Sequence, residues 1–492
     1  MKLSKSRYCD YIYCPKHCWL NIYKPQECKS EPSAQQHAAE GHRVGDLAKG
    51  LFGDFCDVTE KNADGSLDIP AMIAKTHELI KKGAETICEA AFDFDGCYCA
   101  VDILHRENGG YAIYEVKSST AEKADYIYDI AYQKYVLENC GIKITGTYLV
   151  NINNQYVRGT DIEIHKLFKI IDYSGYIAEH SKYVRENCEQ AKVILNSAHE
   201  PSIKLQNGCD VCDCWEYCSK DVPKPSVLDL GGRFNKWYCF NNGIKTFQDV
   251  LASDMKLSAK QRRQIEYALN DLGTYADKRE IEAFLNQLSY PLYFLDFETM
   301  APAIPEYAGT RPYQAIPFQY SLHFTESEEG EIHHSEFLGE PEADPRRALA
   351  EQLCADIPKD VCTLAYHSSV ERGIIEKLAV QFPDLSEHLV NIAEHIRDLE
   401  EPFSKGYYYK REMGKRSSIK VVLPAICPND PELDYHKLDG VHNGDEASSA
   451  YPEMKNMSPE ERKLMRQNLL KYCWLDTYAM VKLWQELVRV SK

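Results

Sequence analysis

One short stretch of the chain places three cysteines at C-x2-C-x5-C spacing, and they are Cys209, Cys212 and Cys218. Three thiolates this close in sequence can bind one soft metal centre, and a closed four-thiolate site needs one more. Cys14, far upstream, is the candidate for the fourth ligand, and Cys214 inside the loop is the natural substitute. A centre closed by Cys14 would tie the start of the first domain to its end.

Two kinds of metal centre suit four thiolates, zinc and iron–sulfur, and the spacing alone does not separate them. Fourteen of the nineteen cysteines lie at or before Cys218, so the enrichment belongs to the first part of the chain. We expect the other cysteines near the N-terminus, Cys28 among them, to pack in the core. Disulfides are not expected, because thiols stay reduced in the cytosol.

Composition sets limits on the compartment and on the partners. The chain has 492 residues, of which 44% are hydrophobic and 27% are charged, as in soluble globular proteins of two or three domains. No apolar run approaches the roughly 18 residues of a membrane span, and the first residues lack the apolar core of a signal peptide. We therefore predict a cytoplasmic protein with no membrane partner. The net charge of −18 argues against coating nucleic acid through bulk positive charge, but it is compatible with carboxylates that bind divalent cations.

Three strands and two tight turns are predicted between residues 85 and 118. Residues 86–92, 98–105 and 110–116 are rich in strand-forming side chains. Between them lie Asp95-Gly96 and Asn108-Gly109, the dipeptides preferred in two-residue type I′ hairpins. The two turns together fix the register of the three strands.

This register places charged residues in a row on one face of the predicted sheet. Glu89 faces Asp102, Asp102 faces Glu115, and Lys117 follows on the same side. Like charges opposite one another destabilise a sheet, and a divalent cation would remove the repulsion. The alternative is a solvent-exposed polar face.

The pattern Asp102-(x12)-Glu115-Val-Lys117 resembles the RecB-like branch of the PD-(D/E)XK nucleases. The resemblance implies that the two acids hold a divalent metal and that the lysine assists the attacking water. Gln133, on a predicted helix, matches the family's glutamine motif. One departure is that Gly45 stands where the family often has a further histidine ligand.

The cysteines extend this resemblance. The arrangement is similar to iron–sulfur RecB-like nucleases found beside CRISPR systems and in AddAB-type helicase-nucleases. It implies a four-iron four-sulfur cluster held by one N-terminal and three C-terminal cysteines, here Cys14, Cys209, Cys212 and Cys218.

A second group of acids follows an apolar strand at Asp296-Phe297-Glu298. Strand periodicity puts the two carboxylates on one face, where they suit a pair of Mg²⁺ ions. The last predicted helix carries Tyr472 and Asp476 one turn apart. The surrounding predicted strands are 318–324, 331–338 and 362–366, and the predicted helices are 344–355, one starting near 369, and 458–490.

This order resembles the DEDD exonucleases, which have an RNase H-like fold. The resemblance implies that Asp296, Glu298 and Asp476 hold metal ions and that Tyr472 marks the tyrosine subtype. Glu371 is the preferred third ligand, although the family has aspartate there. Asp398 is the alternative and falls where these folds often carry a structural aspartate.

Taken together, the motifs resemble a bacterial family of fused nucleases. They imply an α/β chain with a restriction-endonuclease-like domain at 1–220, a helical connector at 221–285 and an RNase H-like domain at 286–492. The expected function is hydrolysis of nucleic acid, with DNA favoured over RNA, at two centres that use Mg²⁺ or Mn²⁺. The alternatives are a nucleic-acid-binding scaffold with one or both sites inactive and, more distantly, an iron–sulfur redox sensor.

Overall fold

Two mixed β-sheets with helices packed against them form the framework of the protein, an α/β fold. The structure, a computed structural model, describes residues 1–29, 32–428 and 430–492. It divides into two compact units, one of Met1–Asp221 with Pro302–Gln314 and one of Val222–Ala301 with Ala315–Lys492. Among the described helices, none is long and apolar enough to cross a membrane.

The first unit contains a seven-stranded sheet with the order β2-β3-β4-β5-β6-β7, and β1 pairs with β4. Its strands are β1 (Leu3–Ser4), β2 (Cys56–Asp57), β3 (Thr86–Phe94), β4 (Cys97–Glu107), β5 (Gly110–Lys117), β6 (Ile144–Ile152) and β7 (Phe168–Asp172). Its helices are α1 (Lys5–Tyr13), α2 (Pro15–Tyr23), α3 (Pro32–Ala48), α4 (Ile69–Lys82), α5 (Tyr126–Asn139), α6 (Ile164–Leu167), α7 (Ser174–Leu195) and α8 (Trp215–Cys218).

Both predicted hairpin turns are confirmed. Asp95 and Gly96 have φ of 50° and 75°, and Asn108 and Gly109 have φ of 50° and 70°, as a type I′ turn requires. The turns give the predicted registers, with Cys88 opposite Ile103.

The strands β4 and β5 separate at the point where the predicted acids lie. Their pairing ends at Ile103 and Tyr114, and β5 continues beside β6. At its other end β4 pairs with Leu3 of β1. The start of the chain is thereby brought to the fork between β4 and β5.

The second unit contains a five-stranded sheet with the order β11-β10-β9-β12-β13 and a two-stranded sheet of β8 and β14. Its strands are β8 (Tyr275–Ala276), β9 (Leu292–Met300), β10 (Ile316–Thr325), β11 (His333–Leu338), β12 (Cys362–Ala365), β13 (Ile396–Asp398) and β14 (Tyr408–Tyr409). Its helices are α9 (Lys236–Asn241), α10 (Phe247–Ala252), α11 (Ala259–Asn270), α12 (Lys278–Leu285), α13 (Arg346–Asp356), α14 (Ser369–Gln381), α15 (Ser386–Glu394), α16 (Glu401–Ser404), α17 (Ile419–Ile426), α18 (Gly444–Glu453) and α19 (Pro459–Ser491).

The central strand β9 positions the second group of acids. It pairs antiparallel with β10 and parallel with β12. The long helix α19 packs on β9 and β10, and the N-terminus of α19 is fixed by a capping box between Ser458 and Glu461. The acids of β9 thus lie beside those of α19.

Candidate functional site

Four cysteines predicted to form one metal centre line a single cavity of the first unit. Cys14, Cys209, Cys212 and Cys218 all border a space of about 290 Å³. Cys14 is the extended residue between α1 and α2, and the other three lie on the loop that ends in α8. The structure therefore brings the N-terminal cysteine to the C-x2-C-x5-C loop.

Two backbone amides donate hydrogen bonds to sulfurs of this group. The amide of Gln206 donates to Sγ of Cys209 at 3.3 Å, and the amide of Cys214 donates to Sγ of Cys212. Burial raises the pKa of the Cys212 thiol to about 12 and also raises the pKa values of Cys209 and Cys218. A metal that binds here would displace these protons.

The expectation that the chain has no disulfides is wrong for one pair. Cys28 and Cys214 form a disulfide, so Cys28 is not simply a packing cysteine. Cys214 is 1% exposed and packs with Trp19 and Leu20. Because its sulfur is bonded to Cys28, Cys214 is not a free thiolate in this structure and does not substitute for Cys14.

Other donors lie next to the cysteines. Atoms of His17, Cys212, Asp213 and Cys214 come within 4.8 Å of one another, a grouping that could hold a metal ion. His17 Nε2 lies 3.0 Å from Asp213 Oδ1, and Cys214 is in the disulfide. The four cavity cysteines give the more uniform donor set.

Two acids at the fork of β4 and β5, with two lysines and a glutamine, form what we call the N-terminal centre. It consists of Asp102, Glu115, Lys117, Gln133 and Lys5. Glu115 is 1% exposed. Its carboxylate accepts from Lys117 Nζ at 2.8 Å, from Lys5 Nζ at 2.8 Å and from Gln133 Nε2 at 2.5 Å. Burial by itself would raise the pKa of Glu115, but Lys5 and Lys117 outweigh it and lower the pKa to about 2.

Asp102 has a different environment from Glu115. Its carboxylate accepts from the amide of Val116 at 2.7 Å. Burial and the charge of Glu115 raise its pKa to about 7. The predicted pair is therefore adjacent, with one acid ionised and the other on the edge of protonation near neutral pH.

The expected row of three acids is met only in part. Regular pairing of β3 with β4 skips Glu89, whose φ is 56°. Its carboxylate lies 3.9 Å from Lys49 Nζ, and its charge still contributes to the raised pKa of Asp102. A non-glycine residue in this conformation interrupts the strand locally, which the hairpin register does not reveal.

Sequence reasoning missed two partners of the N-terminal centre. Lys5 reaches Glu115 because β1 pairs with the start of β4. Asp129 of α5 accepts from Lys117 Nζ at 2.6 Å and from the Cys9 thiol at 3.1 Å. Neither contact has a local signal, since each joins distant parts of the chain.

Four acids of β9, α14 and α19, together with a tyrosine of α19, form what we call the C-terminal centre. It consists of Asp296, Glu298, Glu371, Asp476 and Tyr472. Donor atoms of Asp296, Glu298 and Cys473 lie within 4.8 Å of one another. Burial raises the pKa of Asp296, and the charges of Asp476, Glu298 and Glu371 raise it further. Burial and Asp476 raise the pKa of Glu298 to about 8. The charges of these predicted ligands therefore interact, and each carboxylate makes the ionisation of its neighbours less favourable.

Glu371 and Asp398, the two candidates for the third acid, have distinct surroundings. Glu371 is 5% exposed, its Oε2 has no hydrogen-bond partner among the described residues, and burial raises its pKa to about 7. Asp398 accepts from the backbone amides of His367 at 3.1 Å and Glu400 at 2.9 Å. The oxygen without a partner favours Glu371 as the metal ligand. The two amide contacts instead give Asp398 a structural role, because they hold the backbone at His367 and Glu400.

Two tyrosines and a lysine act on Asp476, and they are Tyr472 of α19, Lys420 of α17 and Tyr435, which lies between α17 and α18. Tyr435, which sequence reasoning missed, donates to Asp476 Oδ1 at 2.6 Å. Tyr472 also donates to Asp476, and Lys420 Nζ donates to Tyr472 Oη at 3.4 Å. Burial still raises the pKa of Asp476 despite both phenols. The predicted tyrosine and aspartate are thus joined directly.

Residues 293–418 match a family described as a domain of unknown function, DUF2779. The matched segment includes Asp296, Glu298 and Glu371 and ends before Tyr472 and Asp476. No curated protein is similar enough to the chain to count as a relative. The match carries no assigned activity, so the chemistry of the centres follows from their geometry.

Proposed function

We propose that the protein is a metal-dependent nuclease with two active centres, a PD-(D/E)XK centre in the first unit and a DEDD-type centre on an RNase H-like fold in the second. The observation that carries the proposal is the convergence of four acids at the C-terminal centre, of which Glu298, Glu371 and Asp476 are buried and Asp296 is half-buried. Burying carboxylates together costs free energy unless cations neutralise them, as their raised pKa values express. Oxygen ligands of this kind suit Mg²⁺ or Mn²⁺.

At the C-terminal centre Asp296, Glu298, Glu371 and Asp476 would hold the ions. Bound divalent ions would supply stabilisation of the charge that develops on a phosphodiester during hydrolysis. Tyr472, fixed between Asp476 and Lys420, presents its phenol beside the carboxylates, where it would orient an attacking water. The expected reaction is removal of nucleotides from a 3′ end.

At the N-terminal centre Asp102 and Glu115 would hold a cation. Gln133 fixes one oxygen of Glu115, and Lys117 holds the other while it also binds Asp129. Lys117 would therefore orient or activate water next to the acids. Its ammonium remains charged, because Glu115 and Asp129 outweigh burial and raise its pKa.

The cavity cysteines Cys14, Cys209, Cys212 and Cys218 would hold a 4Fe–4S cluster with a structural role. Four thiols and two N–H···S contacts are the donor chemistry that such a cluster uses.

One observation favours a second candidate function for the first unit, nucleic-acid binding without cleavage. Lys5 and Lys117 both pair with Glu115, so two internal cations already neutralise the acid that would bind metal. Gly45 also stands where the PD-(D/E)XK family, which the motif resembles, often has a further histidine ligand. A metal must displace Lys5 from Glu115 for this centre to act.

The test is to incubate anaerobically purified protein with end-labelled single strands of DNA or RNA and Mg²⁺ or Mn²⁺, and to resolve the products. Asp296→Asn should abolish trimming from 3′ ends, and Lys117→Ala in that background should abolish any remaining cleavage. Glu376→Gln, at an exposed glutamate of α14, is the matched control and should leave both activities unchanged. If the double variant cuts like the parent, the proposed function is wrong.

A further inference from the structure

A lysine that no motif identifies lies over the C-terminal centre. Lys420, at the second position of α17, is exposed. Besides its hydrogen bond to Tyr472 Oη, its Nζ lies 5.5 Å from the centre of the Tyr472 ring and 5.6 Å from that of Tyr435. Two aromatic rings and a phenol oxygen thus hold the ammonium in place.

The charge of Lys420 acts on the acids beneath it. It lowers the pKa values of Asp296, Glu298 and Asp476 against the larger effect of burial. No carboxylate pairs with it directly among the described residues. An ammonium has three donors, and among the described residues Tyr472 is the one hydrogen-bond acceptor of Lys420.

A phosphodiester that approaches this centre meets four acids of its own sign. Metal ions offset part of that repulsion, and a fixed ammonium at the mouth of the centre would offset more. The buried Oε2 of Glu371, which has no partner among the described residues, indicates independently that the centre is built to take a ligand.

We propose that Lys420 binds a backbone phosphate of the nucleic acid strand at the C-terminal centre, with Tyr472 and Tyr435 positioning the ammonium. This inference rests on the proposed nuclease function and adds a substrate-binding residue outside the motifs. Because Lys420 is exposed and its remaining N–H groups have no protein acceptor among the described residues, it is available to phosphate oxygens.

The experiment uses the full chain with Lys117→Ala to silence the first centre. Trimming of a 5′-labelled single-stranded DNA is measured with Mn²⁺ over a series of salt concentrations. Lys420→Ala should lower kcat/KM by about ten- to a hundredfold, mainly through KM, as loss of a charge-assisted hydrogen bond predicts. The slope of log kcat/KM against log salt should flatten by about 0.7, the value for one phosphate contact on a single strand.

Matched variants separate binding from positioning. Lys420→Arg should retain most of the activity and the parental salt slope. Lys463→Ala, which removes an exposed charge of α19 about 14 Å along the helix from Tyr472, should change neither. Tyr472→Phe should lower kcat and leave the salt slope unchanged. If Lys420→Ala behaves like Tyr472→Phe, Lys420 only holds the tyrosine and the proposal is overturned.

Failure of the proposed function would look different. If the parent does not trim at all, binding of a fluorescent single strand is measured by anisotropy in EDTA at several salt concentrations. A weaker affinity and a flatter slope for Lys420→Ala would still support the phosphate contact. Equal affinity and slope for the two chains would overturn it.

Discussion

The two carboxylate centres neutralise their buried charges in different ways. At the N-terminal centre two lysines and a glutamine bind Glu115, which stays ionised with a pKa of about 2. At the C-terminal centre burial and mutual repulsion raise the pKa values of the acids, to about 8 for Glu298. Without metal, the acids of the second centre therefore take up protons near neutral pH. At the first centre only Asp102, with a pKa of about 7, is close to protonation, because the two lysines keep Glu115 ionised.

This difference predicts how stability depends on pH in the absence of metal. Glu298 keeps its proton in the folded protein up to a pKa of about 8, while its ordinary pKa is 4.5. Between these values the folded state binds more protons than the unfolded state, so stability falls as pH rises. We expect the melting temperature in EDTA to drop by several degrees between pH 5 and pH 8, since each kcal/mol shifts it by about 2–4 °C.

Glu298→Gln is the variant that checks this cause. It should flatten the pH dependence and melt above the parent at pH 8 in EDTA. Added Mn²⁺ should raise the melting temperature of the parent most at high pH, where the acids are ionised, and should have little effect on the variant. A parent that becomes more stable from pH 5 to pH 8 in EDTA would contradict the prediction.

The length of the Glu371 side chain sets the position of the third carboxylate of the C-terminal centre. Glu371→Asp withdraws the carboxylate by one methylene, and a displacement near 1 Å can cost about 100-fold in rate. We expect trimming to fall by about 10- to 100-fold with the melting temperature nearly unchanged. Glu376→Asp, on the exposed side of the same helix, is the control.

Asp398→Asn should give the opposite result. The amide oxygen can still accept from His367 and Glu400 but without charge, so the expected cost is about 1 kcal/mol of stability with activity retained. An indifferent Glu371→Asp together with a stable, inactive Asp398→Asn would reverse the two roles. Thermal melts and trimming rates on the same preparations decide between them.

At the scale of elements, local signals predicted much of the fold. The dipeptides Asp95-Gly96 and Asn108-Gly109 fixed two registers, because type I′ turns demand positive φ at both residues. α10 lies in the segment predicted to be helical, and α19, predicted at 458–490, begins after the cap Ser458. Signals that lie within a few residues of one another were sufficient for these elements.

Contacts between distant elements could not be predicted in this way. Lys5 reaches Glu115 through the pairing of β1 with β4. Lys420 of α17 and Tyr435, which lies between α17 and α18, reach residues of α19 without any motif. The conformation of Glu89 and the disulfide of Cys28 also depend on packing rather than on local sequence. The acids could be identified from the sequence. Lys5, Lys420 and Tyr435 could not, because contacts between distant elements bring them to the acids.

The junction between α1 and α2 supplies one of the four proposed metal ligands. Cys14 lies at that junction, and the other three cavity cysteines lie on the loop before α8. Cys14→Ser should lose the metal and lower the stability of the first unit, because metal binding contributes folding free energy. Elemental analysis and visible absorbance of anaerobic protein measure the metal, and circular dichroism measures the melting temperature.

Cys56→Ser is the matched control, because Cys56 is an exposed free cysteine of β2 outside the cavity. It should keep the metal and the parental melting temperature. Stoichiometric zinc with no iron in the parent would exclude the iron–sulfur assignment, and full metal content in Cys14→Ser would exclude Cys14 as a ligand.

At the scale of the whole molecule, the predicted connector lies within the second unit. β8 pairs with β14. Ile281 and Phe284 are buried residues of α12, which packs on α19. Residues before 286 therefore contribute to the packing of α19, the helix that carries Tyr472 and Asp476.

Two fragments test this role. Residues 222–492 contain the sheet, α12 and α19 but none of the cavity cysteines, so this fragment should fold without iron and gain stability from Mn²⁺. Residues 286–492 lack the strand that pairs with β14 and the side chains of Ile281 and Phe284. Each of these two side chains contributes about 1.5–3 kcal/mol when buried. The shorter fragment should therefore melt well below the longer one, and an equal melting temperature would show that the connector does not support the C-terminal centre.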